Sequence, residues 1–167
     1  GQESGYVDSE GKWVIRMSDY EAVGEFSGGL ALVYQRSTDL YGFIDKDGGV
    51  AITPAYADAW GFSEGLAAAC LPKADDDSPT SGLYGFIDRD GDWVVEPKFA
   101  DARPFSEGLA AAQSTADGSW GYVDITGEPV IPGEWDEAGM FGQGLALVAL
   151  VVGDNEDGYL VYGFAYI

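Results

Sequence analysis

Apolar and polar residues alternate along this chain in runs too short for helices. The stretch "GFID" (Gly42 to Asp45) and the stretch "VAIT" (Val50 to Thr53) are brief apolar runs rich in aromatic and β-branched residues. Between them "DKDG" (Asp45 to Gly48) has aspartate at the first and glycine at the fourth position of a turn, which predicts a β-hairpin. A third strand, "GLAAA" (Gly65 to Ala69), is entered through the turn "FSEG" (Phe62 to Gly65), and the polar linker after it leads into another hairpin. No segment keeps a 3.6-residue apolar period for two turns without meeting a glycine or proline, so helix is a poor competitor.

The same three-strand text is written four times, at residues 5–33, 42–69, 85–112 and 121–148, and a truncated fifth copy occupies 162–167. The first halves read "GYVDSEGKWVI", "GFIDKDGGVAI", "GFIDRDGDWVV" and "GYVDITGEPVI", and only the first copy carries one extra residue, between Ile15 and Tyr20. Copy starts are separated by 37, 43, 36 and 42 residues, so short and long units alternate and two copies are expected to form the structural period.

Each copy therefore predicts a three-stranded antiparallel meander. In "GFID" the neighbours Phe43 and Ile44 are both apolar, as are Trp93, Val94 and Val95 in the third copy, so both faces of a unit are expected to be buried. One such unit cannot bury two faces alone; stacked repeats can. The expected fold is one all-β domain over 1–167, a tandem repeat of meanders stacked as an open spiral or propeller-like array, with a β-solenoid as the alternative. The first unit lacks a strand before Gly5 and the last stops after "YGFAYI", so both ends are expected to expose edges that pair with further repeats or self-associate.

The recurring columns are aromatic-Gly-[Tyr/Phe]-[Val/Ile]-Asp-x-x-Gly, an Ile-x-Pro-like strand end, and aromatic-x-x-Ala-x-x-Phe-x-x-Gly-Leu-Ala. This pattern resembles the WG-repeat family of bacterial tandem-repeat proteins, over nearly the whole length from Gly5 to Ile167. The naming Trp-Gly pair stands literally at Trp120-Gly121, with Tyr41, Tyr84 and Tyr162 in that place elsewhere. Pro54 and Pro97 keep the strand-end proline, whereas Met17 and Gly133 depart from it. The resemblance brings long arrays and no catalytic motif, and it leans toward an exported or cell-envelope location, with the cytoplasm as the alternative.

Charge narrows the partners. With 29 acids against 8 bases the net charge is -21, a field that repels nucleic-acid phosphate and anionic lipid. No apolar run reaches the roughly 18 residues of a membrane span. The opening "GQESGYVDSEG" is neither basic nor apolar, so any signal peptide is expected to have been removed already. The absence of histidine removes the commonest general base, and the single Cys70 has no zinc-type partner, so no enzyme is predicted.

Two kinds of candidate remain. "DRDGD" sets Asp88, Asp90 and Asp92 at alternate positions, and "DDD" (Asp75 to Asp77) and "DNEDG" (Asp154 to Gly158) cluster acids in loops where calcium could find oxygen ligands. The glycine of "DRDG" is fourth, as a hairpin turn demands, rather than sixth as in an EF-hand, so turn chemistry is the stronger reading and no cofactor is expected. The phenylalanine column, Phe26, Phe62, Phe105 and Phe141, reads as core. Trp60 stands apart, because its column holds Gly24, Arg103 and Gly139 in the other copies; exposed, it could stack on a sugar or anchor a partner. Trp13 and Trp93 share a strand position in alternate copies and complete the candidate binding set. The expected function is a non-catalytic module for protein or peptide recognition at a bacterial cell surface, with a basic partner; carbohydrate binding and a structural spacer are the alternatives.

Overall fold

The computed structural model describes residues 4–73, 80–154 and 160–167, and the acidic loops at 75–77 and 155–158 lie outside them. Among the described residues every regular element is a strand, and the strands form five antiparallel sheets. The first is a hairpin of β1 (Ser4–Val7) and β2 (Trp13–Met17). Three four-stranded meanders follow. The first holds β3 (Tyr20–Ala22), β4 (Leu30–Gln35), β5 (Leu40–Asp45) and β6 (Val50–Tyr56). Next come β7 (Asp58–Ala59), β8 (Ala67–Cys70), β9 (Tyr84–Ile87) and β10 (Trp93–Phe99). The third holds β11 (Asp101–Ala102), β12 (Ala110–Gln113), β13 (Trp120–Val123) and β14 (Pro129–Trp135). The last sheet contains β15 (Glu137–Gly142), β16 (Leu145–Asp154) and β17 (Leu160–Tyr166). Among the described residues no strand of the last sheet pairs with the first, and no helix is long and apolar enough to cross a membrane.

The sheets do not coincide with the copies. Each four-stranded sheet takes its first two strands from one copy and its last two from the next, so the three-stranded unit read from the sequence is replaced by a four-stranded one that recurs at each junction between consecutive copies. The chain passes between sheets through a single bend residue, Ala57, Ala100 or Asp136, after which it pairs with the following sheet rather than the previous one. In the first copy that bend takes two residues, Ser18 and Asp19, which accounts for the extra residue there.

Four apolar clusters lie between consecutive sheets. Ile15 and Met17 meet Ala31, Val33 and Ile44; Leu32, Phe43 and Ile52 meet Phe62, Ala67, Ala69 and Ile87. Ala68, Phe86 and Val95 then meet Phe105, Ala110, Ala112 and Val123, and Ala111, Tyr122 and Trp135 meet Ala138, Ala146 and Val148. Alternate residues of one inner strand thus enter different cores: Ala67 and Ala69 face back, Ala68 forward. Two-faced burial holds for these inner strands, with Ala67, Ala68 and Ala69 fully enclosed. It fails on the long edge strands β2, β10 and β14, where Val14, Val94 and Val130 are exposed.

Two contacts explain the most regular columns. The aromatic after each glycine packs on the phenylalanine of the same copy, in the pairs Tyr6–Phe26, Phe43–Phe62, Phe86–Phe105 and Tyr122–Phe141, with centroids 4.7, 4.8, 4.7 and 4.8 Å apart. The glycine itself is dictated by its partner strand. Tyr84 pairs with Phe99 and Phe86 with Val95, so β10 spends four residues where β9 spends two, and the surplus arches over Gly85. A Cβ on Gly85 would lie 2.4 Å from the Val95 carbonyl oxygen and 2.8 Å from the Pro97 nitrogen. Pro97 suits the arch because it has no N–H to leave unpaired. Gly133 keeps the same arch over Gly121, at 2.7 Å from that glycine's Cβ position, whereas Met17 pairs in regular register with Ser4 and has no arch to form.

Candidate functional site

The Trp60 column is constrained through its partner across the ladder. Trp60, Arg103 and the residue next to Gly24, Val23, donate backbone N–H groups to the carbonyls of Ala68, Ala111 and Leu32. A Cβ at Gly24 would lie 3.3 Å from the Leu32 Cβ, and one at Gly139 would lie 3.2 Å from the Leu147 carbonyl oxygen. Large residues at this column, Trp60 and Arg103, therefore accompany the small Ala68 and Ala111, and glycine accompanies Leu32 and Leu147. Where the column is glycine the strand aromatic is tyrosine: the Tyr6 hydroxyl donates to the Gly24 carbonyl at 2.7 Å and the Tyr122 hydroxyl to the Gly139 carbonyl at 2.9 Å. Burial pushes the Tyr122 phenol up to about 12.

Trp60 and Arg103 meet, although they belong to successive copies. The Arg103 guanidinium lies 5.7 Å from the Trp60 ring centroid and 4.9 Å from that of Trp120, and 3.7 Å from the Asp101 carboxylate. Trp120 is buried, while Trp60 remains 38% exposed, so the guanidinium bridges a core ring and a surface ring. Beside it opens a cleft of about 300 Å³ lined by Arg103, Glu137, Leu147 and Phe164. Phe164 is 68% exposed. Aromatic, cationic, acidic and aliphatic side chains thus share one surface.

The other sequence candidates lie elsewhere. Trp93 is half-buried, edge-on to Tyr56 at 5.8 Å, with its Cζ3 2.9 Å from the Cβ position of Gly85. Trp13 covers Gly5 in the same way at 3.1 Å and carries the Arg16 guanidinium 5.1 Å from its centroid. No ring contact joins Trp13, Trp60 and Trp93, so the structure does not gather them into one site. Nor does it gather Asp88, Asp90 and Asp92. The Asp88 Oδ1 accepts the backbone N–H groups of Asp90 and Asp92 at 2.9 and 3.0 Å, closing the hairpin turn. Among the described residues no group of three or more Asp, Glu or Cys side chains is arranged to hold a metal ion. Cys70 is buried, and that burial raises its thiol to about 11.

One feature had no signal in the sequence beyond a glutamate in a turn. The Glu64 carboxylate reaches the next copy's turn and accepts the N–H groups of Glu107 and Gly108, at 2.8 and 2.9 Å. Glu107 does the same to Gln143 and Gly144, at 2.6 and 2.8 Å. Paired backbone donors in a left-handed turn form an anion-binding nest. Alongside, the Ser63 hydroxyl donates to the Phe105 carbonyl at 2.6 Å and that of Ser106 to the Phe141 carbonyl at 2.7 Å.

A search of curated proteins and of solved structures returns no match to the chain. The family model described as WG containing repeat matches at residues 5–37, 41–71, 84–114 and 120–150, which together span most of the chain. On that coverage, with the glycine, aromatic and turn columns each given a structural role, the chain belongs to the WG-containing repeat family.

Proposed function

We propose that this chain is a non-catalytic repeat module for protein or peptide recognition, which engages its partner at the Trp60–Arg103 ridge and the cleft beside it. The observation that carries the reading is the exposed Trp60 ring held by Arg103 next to a shallow cleft with an exposed Phe164. Aromatic and arginine anchors of this kind supply most of the energy of many interfaces. The sheets in this reading follow one another as an open spiral or propeller-like array, with the β-solenoid as the alternative. The -21 charge favours a basic partner, and in this reading the module works at a bacterial cell surface, a location supported by the same acidity and the habit of the family. Selection of a random displayed peptide library on the immobilised protein tests it. Enriched peptides should be basic, should release at high salt and should fail to bind Trp60→Ala and Arg103→Ala; peptides retained equally by both variants would refute the site, and retention indifferent to salt would refute the electrostatic part.

The exposed face of Trp60 also favours a second reading, carbohydrate binding by ring stacking. A glycan array probed with wild type and Trp60→Ala separates the two, since sugar binding predicts a signal that is lost with the ring and insensitive to salt. If neither the peptide library nor the array yields a ligand, the array of sheets acts as a structural spacer.

A further inference from the structure

The turn ladder is broken at one place. The four turns have the same backbone, with left-handed φ of 61°, 54°, 56° and 57° at Gly28, Glu64, Glu107 and Gln143, each followed by a left-handed glycine. Glutamate at the second and third of these positions fills the nest of the following turn. The first position is Gly28, which has no carboxylate to offer. The N–H groups of Glu64 and Gly65 consequently have no acceptor among the described residues, although the equivalent donors in the next two turns each hold one. The hydroxyl tie is missing as well, since Ser27 does not bond Phe62 as Ser63 bonds Phe105. Arg89 stands against Gly28, the position from which the glutamates of the later copies reach the next turn. Its Nη2 lies 2.8 Å, and its Nε 3.1 Å, from where a Cβ on Gly28 would stand, at the root of the missing rung. Arg89 is exposed and has no ion pair or hydrogen bond among the described residues.

We propose that the site formed by the Glu64 and Gly65 N–H groups, with the Arg89 guanidinium beside Gly28, binds the carboxylate of a peptide. The chemistry is the one the chain already uses twice: a carboxylate that accepts two backbone N–H groups, here with a guanidinium in place of a covalent tether. The negative charge of the whole chain does not forbid it, because Glu64 and Glu107 hold carboxylates on sister nests in the same field, and salt screens the remainder beyond about 8 Å. The site uses neither the Trp60 ring nor the Phe164 cleft, so it stands or falls independently of recognition there.

The test is an amide-resolved NMR titration of 15N-labelled protein. The probes are sodium acetate, N-acetylglutamic acid amide for a side-chain carboxylate and N-acetylalanine for a chain terminus. Sodium chloride at matched ionic strength and N-acetylglutamine amide serve as controls. Carboxylate probes should shift the Glu64 and Gly65 amide protons saturably downfield, toward the Glu107 and Gly108 positions, while the amides of Gln143 and Gly144 stay still. Gly28→Glu places a glutamate at a φ that Glu64 and Glu107 already adopt, and only the far end of the flexible Arg89 must move. It should start with Glu64 and Gly65 already downfield and lose the response. Arg89→Gln should weaken the response about two- to fivefold, the range of one exposed charge. The proposal is overturned if no carboxylate probe moves Glu64 and Gly65 beyond the controls, or if the wild-type titration is retained in Gly28→Glu.

Discussion

Replacing Gly85 by alanine adds one methyl group at the place where two backbones come nearest. That methyl would stand 2.4 Å from the Val95 carbonyl oxygen, 2.8 Å from the Pro97 nitrogen and 2.9 Å from the Trp93 Cζ3. Contacts between heavy atoms are most favourable at about 3.5 Å, so the β10 arch must lift by about 1 Å. Lifting it strains the Phe86–Val95 pairing and moves Trp93 off Tyr56. Overpacking of this kind costs about 1–3 kcal/mol, and one weakened ladder bond adds about 1 kcal/mol. The reduced freedom of the unfolded chain returns about 0.4–1 kcal/mol. The expected net loss is about 1–3.5 kcal/mol, which at this chain length lowers the melting temperature by about 2–14 °C. Urea unfolding followed by tryptophan fluorescence, with calorimetry, measures it. Gly61→Ala is the matched control, because a Cβ there meets nothing within 4 Å and its φ is not left-handed. Equal stability of the two variants, within about 0.5 kcal/mol, would refute the arch as the reason for the glycine column.

Three further outcomes are expected. Ala68→Leu in the wild-type background overpacks a fully buried site and should cost about 1–3 kcal/mol, whereas Trp60→Gly/Ala68→Leu recreates the Gly24–Leu32 combination and should recover at least about 1 kcal/mol of it; additive single effects in urea unfolding would dismiss size compensation. Stability should fall as pH rises from about 9 to about 12, because Cys70 moves from 9.0 to about 11 and Tyr122 from 10.0 to about 12 on burial, so the unfolded chain releases its protons first; Cys70→Ala should flatten the lower part of that fall in a Tm-versus-pH series, and an unchanged profile would contradict the burial of the thiol. Glu107→Gln should speed amide hydrogen exchange at Gln143 and Gly144 and leave Glu107 and Gly108, which Glu64 caps, unchanged; equal protection in both proteins would remove the ladder's role.

Much of the fold could be read from residue type, and the misses have specific causes. The aspartate of each hairpin, Asp8, Asp45, Asp88 and Asp124, does bond the turn backbone, as its place before a glycine indicates. Two-faced burial of Phe43 and Ile44 follows from adjacent apolar residues on an inner strand. The sheet boundary was hidden because β7 and β11 have two residues each and leave β6 and β10 through one bend residue, too short for any alternation to show. Val94 reads like Phe43 in sequence, yet it lies on an edge strand, and edge position is a property of the assembled sheet. Glu64 reads as a solvated turn residue because its acceptors' partners are backbone N–H groups 43 and 44 residues away, which carry no residue signature.

Four copies of one unit serve as an internal comparison, and the places where they differ fall into two classes. At the Trp60 column the departure is compensated: tryptophan faces Ala68, glycine faces Leu32, and the tyrosine hydroxyls that bond Gly24 and Gly139 are absent where Phe43 and Phe86 stand. Compensation across the ladder marks a packing solution, so the bulk of Trp60 is accounted for by the fold and only its exposed face is available for a ligand. At Gly28 the departure has no compensation. Two backbone donors that the next two turns satisfy are left open, and an arginine with no partner among the described residues stands where the missing side chain would begin. Local consistency is the rule in a folded chain, and its failure at a solvent-facing position is where binding is expected. The tryptophan that stands out in the sequence is thus the better explained of the two sites, and the glycine that does not stand out has the stronger physical reason to hold a partner.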